Sequence, residues 1–314
     1  MIQAKIEPSA TEICALLIIT RLAHFFCGTV PYSSTLAAQS ALTAAVQLLL
    51  IFPFLLRKSE YHVWNLASYA TRGFALLLAA KSAADTYRFL VHADAPHPAW
   101  TIALLIITVG YILSLPRCSE SRAAIFLLSA SILVFILLPL GGRSSAKVLS
   151  LWSQIPSPPF WQEWADSAEA ALLPVIIESA QKRGKRAALT WFASRILFFP
   201  LLILYGAMQC ERLRINGSAP FLMLLQRVPF SDTLRTDGMW WMLAVGCSLL
   251  TITFLLRFCF IHAKHSAQMR CTGVAALTAF TILFIMYPPS GLAIAAISVF
   301  LCIAAWMPRK ERAA

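Results

Sequence analysis

The sequence predicts an all-α polytopic membrane protein that crosses the bilayer about ten times, and three observations support this fold class. Of 314 residues, 59% are apolar and 13% are charged, whereas soluble domains have roughly 45–50% apolar and about 25% charged residues. Apolar stretches of about 20 residues, the length that spans a bilayer as a helix, recur along most of the chain. The net charge of +12 lies in short clusters between these stretches, which indicates topology rather than a nucleic-acid partner.

The apolar windows define the predicted helices in order. Helices 1–5 are expected at 11–31, 35–56, 62–80, 98–115 and 122–140, and helices 6–10 at 165–180, 188–209, 239–262, 271–287 and 291–307. Helix 3 is weakly apolar, and helix 6 is short and carries Glu169, Pro174 and Glu178. Because helix 6 is the doubtful segment, nine crossings remain the alternative to ten.

The basic residues predict that both chain ends lie in the cytoplasm. Short loops assigned to the inside hold most of the lysines and arginines, including the KRGKR cluster at 182–186, whereas Lys81 and Arg88 fall in a longer outside loop. Short loops carry the orientation signal. Without a crossing by helix 6, the KRGKR cluster would lie outside. Two outer connections, 141–164 and 211–237, are interpreted as interfacial segments.

Ten helices divide into two sets of five, which predicts an inverted repeat within one domain, 1–314. The repeats are 11–140 and 165–287, with helix 10 at 291–307 completing the second. Helices 1 and 6 occupy matching positions, and both are interrupted: helix 1 near Gly28 and Pro31, helix 6 by polar residues before Pro174. Such a pair of interrupted helices indicates a transporter-type binding site at the midplane. The alternative is that helix 6 is a surface helix and Pro31 a helix end.

Charged residues within helix 1 mark the candidate site. Arg21 and His24 are three residues apart and therefore share one helical face. A charged side chain facing lipid at the bilayer centre costs about 2.5 kcal/mol or more, so both are expected to face the interior, with Glu169 as their acidic counterpart. The arginines of helices 3 and 7, Arg72 and Arg195, are interpreted as snorkelling or structurally paired.

The helix interruptions suggest how a solute would be held. Free amides at Gly28 and Thr29 are expected to bind a carboxylate, while Ser167 and Glu169 would face an amine or a cation. Motifs of hydrolases, metalloproteases and phosphate-binding loops do not occur in the sequence, so neither an enzyme nor a cofactor is expected. Structural or gating roles are predicted for Pro31, Arg72, Pro174, Arg235 and Asp237.

Three segments resemble the endospore germination permeases, the B subunits of Ger-type nutrient germinant receptors. SATEICALLIITRL resembles the first helix of that family, and TVGYILSLPRCSESRAAIFLLSASILVFILLPL resembles its helix 4, basic turn and helix 5. APFLMLLQRVPFSDTLRTDGMWWMLAV is similar to its proline-led outer helix, followed by an Arg-x-Asp element, here Arg235 and Asp237, and a tryptophan. The chain departs from the family in its shorter length, its compressed Arg-x-Asp to Trp spacing and the presence of Arg21.

The resemblance implies the fold of the amino acid, polyamine and organocation transporters, with unwound helices 1 and 6. It also implies a protein of the cell membrane or spore inner membrane that senses a small polar nutrient, often an amino acid. Its partners would be membrane lipid, a large A-type receptor subunit and a lipoprotein C-type subunit. An autonomous secondary transporter of amino acids or amines, driven by protons or sodium, is the alternative, and an assembly subunit whose site has decayed is a third possibility.

Overall fold

The structure is a computed structural model that describes residues 9–28, 32–56, 65–92, 97–115, 118–137, 159–212, 237–260 and 267–306. Within these ranges the regular structure is entirely helical. The α-helices are α1 Ala10–Cys27, α2 Ser34–Leu56, α3 Asn65–His92, α4 Pro98–Ile112, α5 Cys118–Leu137, α6 Phe160–Ala165, α7 Leu173–Ala193, α8 Phe199–Arg212, α9 Asp237–Cys259, α10 Ala267–Met286 and α11 Gly291–Ala305. A 3₁₀ segment, Ala168–Leu172, precedes α7, and a π turn, Ser194–Phe198, joins α7 to α8.

Several helices have the length and apolar composition needed to cross a membrane. Among the described residues these are α1, α2, helical chain within Ala168–Met208, which is divided at Gln181, and the Met242–Cys259 part of α9, with shorter apolar helices in α4, α5, α10 and α11. Large apolar side chains cover the outside of the bundle, for example Leu49, Trp100 and Phe126, each 70–72% exposed. Water solvates such a surface poorly and lipid solvates it well. The predicted all-α membrane protein is confirmed at this level.

Helix α1 is the buried centre of the bundle. A capping box fixes its start, because Ser9 Oγ accepts from the Glu12 amide at 3.2 Å and Glu12 Oε2 accepts from the Ser9 amide at 2.7 Å. It packs against α3, α5, α7 and α9. It ends at Gly28, whose backbone is extended (φ −65°, ψ 139°). The described part of the predicted interruption is therefore a helix end, while Thr29 and Pro31 lie outside the described residues.

Helix α3 is longer than predicted. It extends from Asn65 to His92, so Lys81 and Arg88 lie within a helix and not in the expected outer loop. The predicted helix end at residue 80 was wrong. Charged residues after this position lower the mean hydropathy of the sequence, so the apolar run stops there although the helix continues. Asp85 pairs with both cations in the folded chain: Lys81 Nζ lies 2.9 Å from Asp85 Oδ2 and Arg88 Nη1 lies 2.8 Å from Asp85 Oδ1.

The segment predicted as helix 6 is interrupted, and it begins earlier than expected. Helix α6 starts at Phe160 and ends at Ala165, and the chain leaves the α-helical pattern through Asp166 and Ser167 into the 3₁₀ segment. Pro174 lies in the first turn of α7. Backbone amides in the first turn of a helix make no intrahelical hydrogen bond, so a proline without an amide hydrogen is tolerated there. The early start brings Glu163, expected in the outer connection, into the bundle.

A sharp reversal divides α7 at Gln181. The backbone of Gln181 has φ 47° and ψ −121°, and a Cβ placed on Gly184 would lie 2.7 Å from the carbonyl oxygen of Ile176. In a continuous helix, residues eight positions apart are separated by about 12 Å. The chain therefore folds back here, and the basic cluster at 182–186 occupies the reversal.

We expect Gln181→Gly to stabilise the protein. Glycine adopts positive φ without the steric cost that a Cβ imposes, so the free energy of unfolding should rise by about 1 kcal/mol. Thermal unfolding of the purified protein in detergent measures the change as a higher midpoint. Gln181→Ala is the matched control, since alanine retains the Cβ and should give no comparable gain. An equal gain from both variants would contradict the explanation.

Candidate functional site

A cavity of about 250 Å³ lies where six elements meet. These are the C-terminal end of α1, the start of α2, the second half of α3, α6, the start of α8 and the turn between α10 and α11. Its charged lining residues are Arg21, Lys81, Asp85, Arg88, Glu163 and Asp166, and its other lining residues include His24, Gly28, Gln162, Phe25, Tyr32, Leu36, Phe199, Ile203, Pro288 and Pro289. Pockets that bind drug-sized ligands have volumes of about 300–1,000 Å³, so this cavity fits a smaller solute.

Helical spacing places the charged side chains on the cavity wall. Arg21 and His24 lie one turn apart on α1, and Lys81, Asp85 and Arg88 are spaced four and three residues apart on α3. Residues at these spacings share one helical face. Each helix thus contributes a stripe of polar groups to the same side of the bundle.

The charges alternate in sign along the cavity. Arg21 Nη2 contacts Glu163 Oε1, and Arg21 Nη1 donates to the backbone oxygen of Asp166 at 2.9 Å. Lys81 Nζ bridges two carboxylates, at 3.0 Å from Asp166 Oδ1 and 2.9 Å from Asp85 Oδ2. At the other end of this row from Glu163, Arg88 Nη2 donates to the carbonyl oxygen of Phe284.

The inner charges of this row are deeply buried. Arg21, Lys81 and Glu163 are 4–7% exposed, whereas the side chains of Asp85 and Arg88 are 22% and 29% exposed. Isolated charges in such an environment are strongly unfavourable, and they persist when each has an opposite partner. The row therefore has a buried end at Glu163 and an open end at Arg88.

A second polar centre lies next to the cavity around Arg195. This arginine is fully buried in the π turn. Its Nη1 donates to Gln47 Oε1 at 2.6 Å, its Nη2 lies 3.8 Å from Glu163 Oε1, and its guanidinium carbon is 5.2 Å from the centre of the Trp191 ring. Gln47 Nε2 in turn donates to the backbone and side-chain oxygens of Ser167, both at 3.2 Å. The predicted structural pairing of Arg195 is thus present.

The structure separates the residues predicted for the site into two groups. Arg21, His24 and Gly28 line the cavity, but Ser167 and Glu169 do not; both are buried beside the Arg195 centre. Glu169 is not the contact partner of Arg21, because α6 begins early enough to present Glu163 instead. Thr29 lies outside the described residues.

Of the residues predicted to have structural or gating roles, Arg72 and Pro174 are not among those that line the cavity. Arg72 is half-buried; its Nη2 donates to Ser68 Oγ at 3.1 Å and its guanidinium lies over the Tyr69 ring at 5.4 Å. Pro174 is buried and Asp237 is the first residue of α9. Pro31 and Arg235 lie outside the described residues.

Sequence reasoning missed the acidic and basic residues that α3 and α6 bring to the cavity. The Lys81 and Asp85 spacing is that of a helical ion pair, a signal available in the sequence. The pairing of Lys81 with Asp166 joins residues far apart in the chain, so no local pattern reveals it. The contacts of Gln47 with Arg195 and Ser167 were also not predicted, because Gln47 is a single polar residue in the middle of an apolar helix.

Neither a protein-family model, nor a curated protein, nor a solved structure matches this chain. The functional assignment accordingly depends on the cavity and its charges.

Proposed function

We propose that this chain is a transporter-type membrane protein that binds a small zwitterionic solute, of the amino-acid class, in the cavity. The observation that supports this most directly is the balanced row of charges. The cations Arg21, Lys81 and Arg88 face the carboxylates Asp85, Glu163 and Asp166. Net charge in a site of low dielectric is costly, so a neutral site favours a solute that carries both signs and no net charge.

The orientation of the solute follows from the groups that remain available. A lysine ammonium has three donors, and Lys81 uses two of them on Asp85 and Asp166. The third is available to a solute carboxylate. The C-terminal end of α1 at Gly28 carries the negative end of the helix dipole, which favours a solute ammonium close to Asp85. This places the carboxylate away from Gly28, opposite to the expectation from the sequence.

The remaining cavity wall indicates the solute side chain. Phe25, Leu36, Phe199 and Ile203 lie among the lining residues, and they offer neither charge nor a polar side-chain atom. An aliphatic side chain buries apolar surface there, whereas a second charge would be left without a partner. We therefore expect neutral aliphatic amino acids to bind better than acidic or basic ones.

The proposed topology has ten crossings, with both chain ends in the cytoplasm and helices arranged as five plus five. The reversal at Gln181 supports this number, because it separates the predicted helices 6 and 7. With this orientation, the C-terminal ends of α1 and α3, the start of α6 and the turn at Pro288 lie on the outer side. The cavity would then receive solute from outside the membrane.

As its resemblance to the germination permeases implies, we propose that solute binding serves nutrient sensing within a germinant receptor. An A-type subunit and a lipoprotein C-type subunit would be its partners in a cell or spore inner membrane. The neutral cavity supports solute recognition in this role and in an autonomous secondary transporter alike. Uptake measurements distinguish the two.

We expect the purified protein in lipid nanodiscs to bind L-leucine or L-alanine at least tenfold more tightly than L-glutamate or L-lysine. Isothermal titration calorimetry measures the affinities, and the charge balance of the cavity is the physical reason. Absence of binding by all four amino acids, or equal binding of all four, would contradict the proposal.

In proteoliposomes containing this chain alone, binding without uptake supports the receptor role, and robust uptake driven by an ion gradient supports the transporter.

A further inference from the structure

Tyr32 is a buried aromatic residue on the apolar wall of the cavity. It is 5% exposed and is one of the lining residues. Its ring stacks on the ring of Phe25, with the ring centres 4.9 Å apart and the planes within 6° of parallel, a separation at which aromatic rings attract each other. Its hydroxyl donates to the backbone oxygen of Phe25 at 3.2 Å. The ring is therefore held at two points on the C-terminal turn of α1.

The start of α2 fixes the backbone at Tyr32. The next residue, Ser33, caps this helix: its Oγ accepts from the Leu36 amide at 3.1 Å, and its backbone oxygen accepts from the Ala37 amide at 3.0 Å. Such a cap satisfies an amide that the first helical turn leaves unpaired. Leu36 also lines the cavity. The cap thus sets Tyr32 and Leu36 on the same wall.

Helix α8 presents a glycine to the Tyr32 ring. Phe199, Ile203 and Gly206 follow one another at spacings of four and three residues and so share one helical face, and the first two line the cavity. A Cβ placed on Gly206 would lie 2.6 Å from Cδ2 and 3.0 Å from Cε2 of Tyr32. Nonbonded carbon atoms pack best at about 3.5–4.0 Å. A side chain at this position of α8 would therefore displace the ring.

The cavity is the open space into which a displaced ring can move. Protein interiors are closely packed, and Tyr32 is buried, with Phe25 stacked on its ring and α8 beside it. A shift into the cavity shortens the distance between the apolar wall and the charged row. This removes space from the solute side chain, which the proposed orientation places against the apolar wall. The contacts of the solute ammonium and carboxylate with Asp85 and Lys81 would stay in place.

We propose that Tyr32 determines the largest side chain that the cavity accepts, and that Gly206 is a positioning residue that leaves room for the Tyr32 ring outside the solute space. The inference rests on the proposed function, because it concerns the side chain of a solute bound in the cavity. Tyr32 contacts the solute, whereas Gly206 acts through Tyr32. The ring in its present position leaves room for an aliphatic side chain such as that of leucine and disfavours a larger aromatic one.

Gly206→Ala separates side-chain size from solute recognition as a whole. Wild-type protein and the variant, both in nanodiscs, are titrated by calorimetry with L-leucine and with glycine, a zwitterion that has no side chain. We expect the L-leucine affinity to fall at least tenfold and the glycine affinity to change less than threefold, because leucine alone needs the space that the ring enters. An equal loss of affinity for both solutes, or no loss for either, would overturn the inference.

Gly73→Ala is the matched control for this substitution. Gly73 lies on α3, and a Cβ placed there has no atom of the described chain within 4 Å. The added methyl group should therefore change neither affinity by more than twofold. A selective loss of L-leucine binding in this control as well would overturn the assignment to Gly206.

Variants of Tyr32 test the wall itself. Tyr32→Ala should bind L-phenylalanine at least tenfold more tightly than wild-type protein does, because the aromatic side chain then enters the space of the ring. Tyr32→Phe keeps the ring and loses the hydroxyl, and it should retain the wild-type preference for L-leucine over L-phenylalanine. Unchanged L-phenylalanine affinity in Tyr32→Ala would overturn the inference. These two variants decide it even if Gly206→Ala does not fold.

The double variant tests whether Gly206 acts through Tyr32. In Gly206→Ala with Tyr32→Ala the methyl group has no ring to displace, so the L-leucine affinity should equal that of Tyr32→Ala within threefold. A further tenfold loss in the double variant would overturn the positioning role of Gly206. If wild-type protein binds neither glycine, L-leucine nor L-phenylalanine, the proposed function and this inference both fail, whereas the outcomes above overturn the inference alone.

Discussion

Arg21→Met is expected to destabilise the protein more than any other single substitution at the cavity. Arg21 contacts Glu163 and donates to the backbone oxygen of Asp166, and it is 5% exposed. Without Arg21, the buried Glu163 carboxylate loses its closest cation and keeps, among the described residues, only the longer contact to Arg195, whose Nη2 atom is 3.8 Å from Glu163 Oε1. Removing one partner of a buried ion pair costs about 3–5 kcal/mol of unfolding free energy. The midpoint of thermal unfolding in detergent should fall accordingly, and much of the protein should aggregate in size-exclusion chromatography.

Two further variants separate the loss of charge pairing from the loss of packing. Arg122→Met removes an exposed arginine on α5 and should change the unfolding free energy by less than about 0.5 kcal/mol. The double variant Arg21→Met with Glu163→Gln removes both charges and should recover a large part of the stability. If the double variant is less stable than Arg21→Met alone, charge pairing does not explain the role of Arg21.

Those features of the fold that depend on local apolar length could be predicted from the sequence. The apolar runs of α1, α2 and α9 fall within the range of about 17–25 residues that crosses a bilayer, and the ends of these helices lie close to the predicted ranges. The interruption in helix 6 was also predictable, because Asp166 and Ser167 cannot continue an apolar helix without partners. In these places the local sequence and the tertiary structure agree.

The second half of α3 could not be predicted in this way. Hydropathy counts Lys81, Asp85 and Arg88 as separate polar groups, although in the structure they form one neutral row with Asp166. The charge of the row is balanced only when Asp166, next to α6, packs beside Lys81. A hydropathy window covers about 20 neighbouring residues and so never includes both residues. For the same reason Arg21 was recognised as a buried cation but assigned to Glu169, since the true position of Glu163 depended on where α6 begins.

Asp85→Asn is expected to change which solutes the cavity accepts. Asp85 holds Lys81 and Arg88 and, in the proposed orientation, faces the solute ammonium. The substitution preserves shape and removes one negative charge, so the lining would carry one excess positive charge. L-leucine affinity should fall about 100-fold, because loss of one partner from a desolvated charge pair costs about 2–5 kcal/mol. Calorimetry with L-leucine in nanodiscs measures the loss.

The same excess charge should favour a solute that lacks the ammonium group. The probe is 4-methylpentanoate, which has the carbon skeleton and carboxylate of leucine without its amine. Wild-type protein should bind it more weakly than L-leucine, because a net negative solute unbalances a neutral site. In Asp85→Asn the order should reverse, since the carboxylate then neutralises the extra positive charge while no ammonium is left unpaired. Asp85→Glu retains the charge and should retain the wild-type order. If Asp85→Asn keeps its preference for L-leucine, charge balance does not select the solute of this cavity.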